Sequence, residues 1–196
     1  MPAGAGRTLT GTQAHARAAR TPDTKMATNF RDIDTRCIAD DSLPWLPLEP
    51  YARLVSVKLL CADPMRGEVI LVLRAPPGVE LPRHRTSGPT TIYTVQGRWK
   101  YREHDWVAGP GSLVIEPASA CNTPQILGDG TDDAILLLIV GGDVFLLDED
   151  GRVTSTENWR TAVGRYLDFC REHDIEPLDV TLQARGDDGY ATRGAA

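Results

Sequence analysis

Histidine and cysteine are scarce in this sequence. Its 196 residues hold four of each: His15, His84, His104 and His173, and Cys37, Cys61, Cys121 and Cys170. No two cysteines are close enough for a zinc knuckle or a redox pair, which excludes thiolate-rich metal modules. Positive charge is also in short supply, with 21 Lys and Arg against 27 Asp and Glu and a net charge of −6. Nucleic acid is therefore not an expected partner. The longest apolar run, Ala134 to Val140, has seven residues, far below the roughly 20 that a membrane helix needs. A membrane partner is not expected either. Aromatic residues make up only 6% of the chain.

What is plentiful is the chemistry of turns. Glycine (18) and proline (14) exceed the usual combined share of about 12%. That suits a fold of many short strands better than a helical bundle.

Residues 1–27 contain no apolar stretch of the kind a signal peptide requires. They carry Arg7, Arg17, Arg20 and Lys25 against Asp23. A transit-type leader and a disordered extension ahead of a start nearer Met26 both fit this composition, and the logic of disorder favours the second. A secreted disulfide framework would be denser in cysteine. The expectation is a cytoplasmic protein with reduced thiols, organised as an extension over residues 1–28, a domain over 29–178 and a flexible tail over 179–196.

Asn29 to Pro50 is irregular, with Pro44, Pro47 and Pro50 around Trp45, Leu46 and Leu48. It reads as an extended segment covering a sheet edge. Nine strand-like runs follow, divided by Gly and Pro turns. They are Arg53 to Leu60, Glu68 to Arg74, Leu81 to Arg85, Thr90 to Val95, Arg98 to Glu103, Ser112 to Glu116, Asn122 to Leu127, Asp133 to Val140 and Val144 to Leu147. The apolar continuity of the eighth marks a central strand buried on both faces. Thr154-Ser155-Thr156-Glu157 has capping-box spacing, and Trp159, Val163, Tyr166 and Cys170 recur at helical spacing. One amphipathic helix, ending near Glu172 or His173, is expected there. Many strands and one helix in so short a domain mean a β-sandwich or barrel.

Specific segments carry a resemblance. Gly78, His84 and Gly97, followed by Gly109-Pro110-Gly111-Ser112, Glu116-Pro117 and Asn122, resemble the two motifs of the cupin superfamily. PPGVELPRHR, YTVQG-RW-Y, EHDWVAGPGS and EPASA resemble in particular the cupins related to 2,4'-dihydroxyacetophenone dioxygenase. The likeness runs from about Ser42 to Pro177. It implies an all-β fold, a cupin double-stranded β-helix or jelly-roll barrel with one C-terminal amphipathic helix. It also implies a small-molecule pocket and often a homodimer.

Dioxygenase-type members of that family hold a non-haem metal through a His-x-His pair and a third histidine. In this sequence His84 keeps the first position, Thr86 stands at the second and Asn122 at the third, while Thr90 occupies the usual glutamate position. A divalent ion in a catalytic site wants about three imidazole or carboxylate donors. A hydroxyl and an amide are poor substitutes, so no metal cofactor is expected. Glu103 and Glu116 are the nearby carboxylates that could replace a ligand.

His104 is expected to serve a turn, His173 a helix end, and Cys121 to point away from a pocket that Asn122 faces. The reading that follows is a cupin enzyme with metal-independent acid/base chemistry. His84 is the acid/base group, and Thr86 and Asn122 hydrogen-bond a carbonyl or enolate. Tyr93, Trp99, Tyr101 and Glu116 are the expected substrate-binding residues, for a small aromatic or polyketide-like carbonyl compound. Isomerisation, cyclisation and lyase reactions suit such a set. The alternatives are an Fe²⁺- or Zn²⁺-dependent dioxygenase cleaving a hydroxylated aryl ketone, and a non-catalytic small-molecule-binding cupin.

Overall fold

The computed structural model describes residues 37–48, 54–128 and 132–181. The expected extension over 1–28, His15, and all of the expected tail after residue 181 lie outside these. Among the described residues twelve strands and one α-helix follow a short 3₁₀ turn at Asp40–Ser42.

The larger sheet has six strands in the order β1-β2-β3-β10-β5-β7. These are β1 (Leu46–Pro47), β2 (Ser56–Asp63), β3 (Glu68–Ala75), β10 (Ala134–Gly141), β5 (Thr90–Gln96) and β7 (Leu113–Glu116). A four-stranded sheet runs β12-β11-β4-β8, built from β12 (Val153–Glu157), β11 (Val144–Leu147), β4 (His84–Thr86) and β8 (Cys121–Asn122). A third sheet pairs β6 (Trp99–Tyr101) with β9 (Pro124–Ile126). Every strand pairing is antiparallel. The inner faces of all three sheets line one cavity, as in a jelly roll.

The strand that contains the apolar run, Ala134–Gly141, is central, with β3 on one side and β5 on the other. Its burial is one-sided, however: Ala134, Leu136 and Val140 are buried, whereas Ile139 is 36% exposed. Its continuity therefore reflects β propensity on the outer face as well as core packing. Tryptophan in the proline-rich lead-in explains how that segment docks. Lys58 and Arg74 lie 4.8 and 4.5 Å from the Trp45 ring, and β1 forms the outermost strand against β2.

Two expected strands are shorter than the sequence pattern. The run from Leu81 becomes a regular strand only at His84: Leu81 N–H donates to Pro124 O at 2.9 Å, but Pro82 has no N–H to continue a ladder. The run from Asn122 breaks at Thr123, whose N–H and Oγ1 both donate to Glu103, at 2.9 and 2.8 Å. Gly97, closing the β5–β6 hairpin at φ +79°, has no substitute, since a Cβ there would lie 2.6 Å from Ala134 Cα.

The helix α1 (Trp159–Glu172) starts four residues later than the capping pattern suggests. Thr154 to Glu157 belong to β12, paired with β11. The actual cap is Asn158, whose side chain accepts from the N–H groups of Arg160 and Thr161, while Thr161 Oγ1 accepts from Asn158 N–H. The apolar stripe is as expected: Tyr166 and Cys170 are buried and Trp159 and Val163 pack on the core. No helix among the described residues is long and apolar enough to cross a membrane.

Tyr166 holds the chain that follows the helix. Its hydroxyl donates to Leu178 O at 3.2 Å and accepts from Leu178 N–H at 2.7 Å. Burial pushes the phenol up to about 12, so both bonds persist at neutral pH. Tyr166→Phe should cost about 1–2 kcal/mol for the orphaned backbone pair, with earlier proteolysis near Leu178 than in the wild type. Unchanged urea denaturation and proteolysis would refute this anchoring role.

Candidate functional site

The cavity has a volume of about 180 Å³, somewhat larger than the roughly 150 Å³ that holds a benzene molecule. Most of its wall is aliphatic, from Val57, Leu59, Leu73, Ile92, Leu136 and Val140 among others. Polar groups enter at two places. One cluster comprises His84, Thr86, Thr90, Tyr101 and Glu116, and the other Glu157, Asn158 and Arg165 beside the helix.

Strand register explains the first cluster. His84 and Thr86 are two residues apart on β4 and share its inner face. Asn122 is the Cα partner of His84 on β8, so its side chain emerges on that same face. Thr90 is the partner of Glu116 across β5 and β7. All four elements thus deliver short polar side chains to one patch of an apolar wall.

The hydrogen bonding within this patch is incomplete. Asn122 Nδ2 donates to Glu116 Oε1 at 2.6 Å. The other carboxylate oxygen, Glu116 Oε2, is buried without a partner, and so are Thr86 Oγ1 and Thr90 Oγ1. Glu116, Thr86 and Thr90 are only 2–3% exposed. Buried polar atoms are rarely left unpaired in a folded protein, because each costs about 1–3 kcal/mol. Three together at one cavity wall are what a ligand's polar groups would satisfy.

His84 has its Nδ1 3.4 Å from Pro82 O and its Nε2 3.9 Å from Glu116 Oε1. A proton on Nδ1 faces the carbonyl, which leaves the Nε2 lone pair towards the cavity and the carboxylate. Tyr101 packs at the edge of His84, with ring centroids 6.4 Å apart. Burial first, and then the neighbouring Glu116 carboxylate, push its phenol far above the ordinary range. Tyr101 is therefore a fixed hydroxyl donor. Trp99 lies against it at 5.1 Å in edge contact, its Nε1 donating to Thr94 Oγ1 at 2.9 Å.

The expected site residues are mostly brought together here. His84, Thr86, Trp99, Tyr101 and Glu116 line the cavity. Asn122 reaches it only through its bond to Glu116; with Cys121, His104 and Trp106 it lines an adjoining groove that shares Tyr101 and Glu116 with the cavity. Tyr93 is a correction. It lies between inward-facing Ile92 and Thr94 on β5 and is 43% exposed on the outside of the sheet. It does not wall the pocket. Glu103 is engaged by Thr123, and His104 is exposed, stacked on Trp106 at 5.4 Å. His173 caps the helix end, its ring 3.9 Å from Phe169. Sequence reasoning missed Arg165, although it follows Ala162 by three residues and precedes Phe169 by four, on the face that packs inward.

The donor set does not fit a resident divalent metal. His84 and Glu116 are the two strong donors, Thr86 offers a neutral hydroxyl, and Asn122 turns its amide N–H on Glu116. Among the described residues no three His, Cys, Asp or Glu side chains stand together. A catalytic site for zinc or iron is built from three such donors.

Comparison with known proteins agrees with this architecture. The profile of the ChrR cupin-like domain matches residues 34–136. An RmlC-like cupin protein of Ralstonia eutropha JMP134 is 45% identical, with a TM-score of 0.73 over 76% of this chain and 95% of that one. An acetylacetone dioxygenase from Acinetobacter johnsonii shares the fold at 19% identity, with a TM-score of 0.59 over 69% of this chain and 91% of its own. A second R. eutropha protein of cupin-like fold is 18% identical, with a TM-score of 0.65 over 78% of this chain and 98% of that one. No curated protein matches. The profile match and the 45% identity place this chain in the ChrR cupin-like family of the cupin superfamily.

Proposed function

We propose that this cupin is an enzyme that moves a proton on a small carbonyl compound without a resident metal. The observation that carries the reading is the placement of His84 Nε2 3.9 Å from the buried Glu116 carboxylate, beside two unpartnered threonine hydroxyls. His84 Nε2 takes a proton from the carbon next to the carbonyl, the C–H pair becoming the enolate π bond. Thr86 Oγ1 and Thr90 Oγ1 donate to the oxygen on which negative charge develops. Glu116, held by Asn122, stabilises the imidazolium that forms. Return of the proton to another atom completes an isomerisation. The aliphatic wall excludes water, and the volume favours a compact ketone over a polyketide-sized one.

The size suits diketones such as the one named for the Acinetobacter protein, although that likeness is one of fold. Metal-free chemistry is part of the proposal, supported by the donor set rather than by any relative. Stoichiometric iron or zinc in protein purified without chelator would overturn that part.

The test is exchange of carbonyl-adjacent hydrogens for deuterium, followed by NMR with acetoin and 4-oxopentanoate. His84→Gln should lower the catalysed rate by about 100-fold or more, the usual contribution of a general base. Glu116→Gln should lower it less. Exchange no faster than in buffer with the wild-type protein, or unchanged exchange with His84→Gln, would overturn the reading. Ligand binding without exchange would instead favour a binding cupin.

A further inference from the structure

The second polar cluster in the cavity has no part in the proton transfer. Arg165 on α1 and Glu157 at the end of β12 form an ion pair at 2.5 Å, with side chains only 25% and 27% exposed. Thr161 Oγ1 also donates to Glu157 Oε2, at 2.9 Å. A plain latch between helix and strand would sit on the outer surface. This pair instead faces the same apolar cavity as His84 and Thr86.

Register measures the distance between the two polar ends. Thr86 is the partner of Val144, and Val144 the partner of Glu157. All three line the cavity, so they share the inner face of the sheet. With strands about 4.8 Å apart, the Thr86 and Glu157 backbones lie about 10 Å apart. The space between is bounded by aliphatic side chains such as Val144 and Leu146. A complementary ligand has a polar group at each end and an apolar middle.

The sign of the second end follows from its donors. The Arg165 guanidinium has five N–H donors in a planar fork, and its one hydrogen-bond partner among the described residues is Glu157. Donors remain for a second carboxylate, in the bidentate geometry that arginine favours. Asn158 contributes little, because its amide already caps the helix and bonds Asp143 Oδ1 at 3.0 Å.

We propose that the ligand of this cavity is a short oxo acid, its carboxylate received by Arg165 and its ketone directed to His84 and Thr86. The assignment of the ketone end rests on the acid/base reading above; the assignment of the carboxylate end does not. Glu157 then acts as a placeholder whose negative charge competes with the ligand. The two partners of the ion pair therefore have opposite effects on affinity, which a purely structural latch would not produce.

Affinities of the full chain for 4-oxopentanoate, 5-oxohexanoate and the neutral isostere 4-oxopentanamide test this, by calorimetry or NMR. The better oxo acid should bind at least about 10-fold more tightly than the amide, the share of one charge-assisted pair. Arg165→Gln should erase that preference, weakening acid binding by far more than amide binding. Glu157→Gln should tighten oxo-acid binding several-fold. Equal affinity for acid and amide in the wild type, or no binding of either oxo acid, would overturn the proposal. So would Arg165→Gln weakening acid and amide alike. If Arg165→Gln does not fold, Glu157→Gln decides: unchanged or weaker acid binding rejects the placeholder role. A carboxylate preference without deuterium exchange would reject only the acid/base reading, and exchange on neutral ketones without that preference only the oxo-acid proposal.

Discussion

Trp99→Ala is expected to destabilise the domain by about 3–5 kcal/mol, the range for deleting a buried aromatic side chain. That is a large share of the roughly 5–15 kcal/mol that holds a folded domain together. Trp99 is 1% exposed, and its ring contacts Tyr101 and Trp106 edge-on at 5.1 and 5.7 Å. Its backbone joins two partners, Ile126 in β9 and Ala108 across an isolated bridge, so the substitution removes packing without cutting a ladder. It also strands Thr94 Oγ1, in a residue with no exposed surface. Trp99→Phe separates the two effects. The ring is largely kept and the hydrogen bond lost, for a cost of about 1–3 kcal/mol. Urea denaturation followed by far-UV circular dichroism measures both, since the substitution alters the fluorescence. A cost below about 1 kcal/mol for Trp99→Ala would mean that the cavity wall collapses to fill the gap and that the cavity is not a rigid feature.

The parts of the fold that were legible in the sequence are those set by local pattern. The central strand, the β5 and β3 runs and the apolar stripe of α1 follow from periodicity, which is a property of neighbouring residues. The errors lie where a distant partner decides. Thr154 to Glu157 satisfies both a capping box and an edge strand of β-branched residues, and only pairing with Val144 and its neighbours selects the strand. The break at Thr123 depends on Glu103, 20 residues earlier. Tyr93 was a question of parity. Once Thr90 and Ile92 face inward, alternation alone puts Tyr93 outside.

The site divides in the same way. His84, Thr86 and Glu116 were legible because motif order placed them together. The hydrogen bond that gives Asn122 its role spans the turn between β7 and β8, and Arg165 arrives from a helix whose apolar stripe dominates its sequence pattern. Charge on that face is the signal that was available: a cation between Ala162 and Phe169 interrupts a stripe that otherwise packs on the core.

Two added histidines should convert the polar patch into a metal site. Wild-type protein should bind Co²⁺ weakly. Thr86→His with Asn122→His should bind it about 1000-fold more tightly or better, since even an outer-shell partner is worth roughly 10–100-fold in metal affinity. Strand register brings the three positions together. Positions 84 and 86 share a face of β4, and position 122 is the direct partner of 84 on β8. Three imidazoles there converge from one side, leaving coordination positions open to the cavity. Asn122→His also releases Glu116 Oε1 from its 2.6 Å bond, so a carboxylate becomes available as a fourth donor. Visible absorption of bound Co²⁺ reads the donor number, and His84→Gln in the same background should abolish the tight site. A double variant no better than the wild type would mean that the three side chains do not converge. The arrangement of His84 and Asn122 against Glu116, on which the proton-transfer mechanism depends, would fall with it.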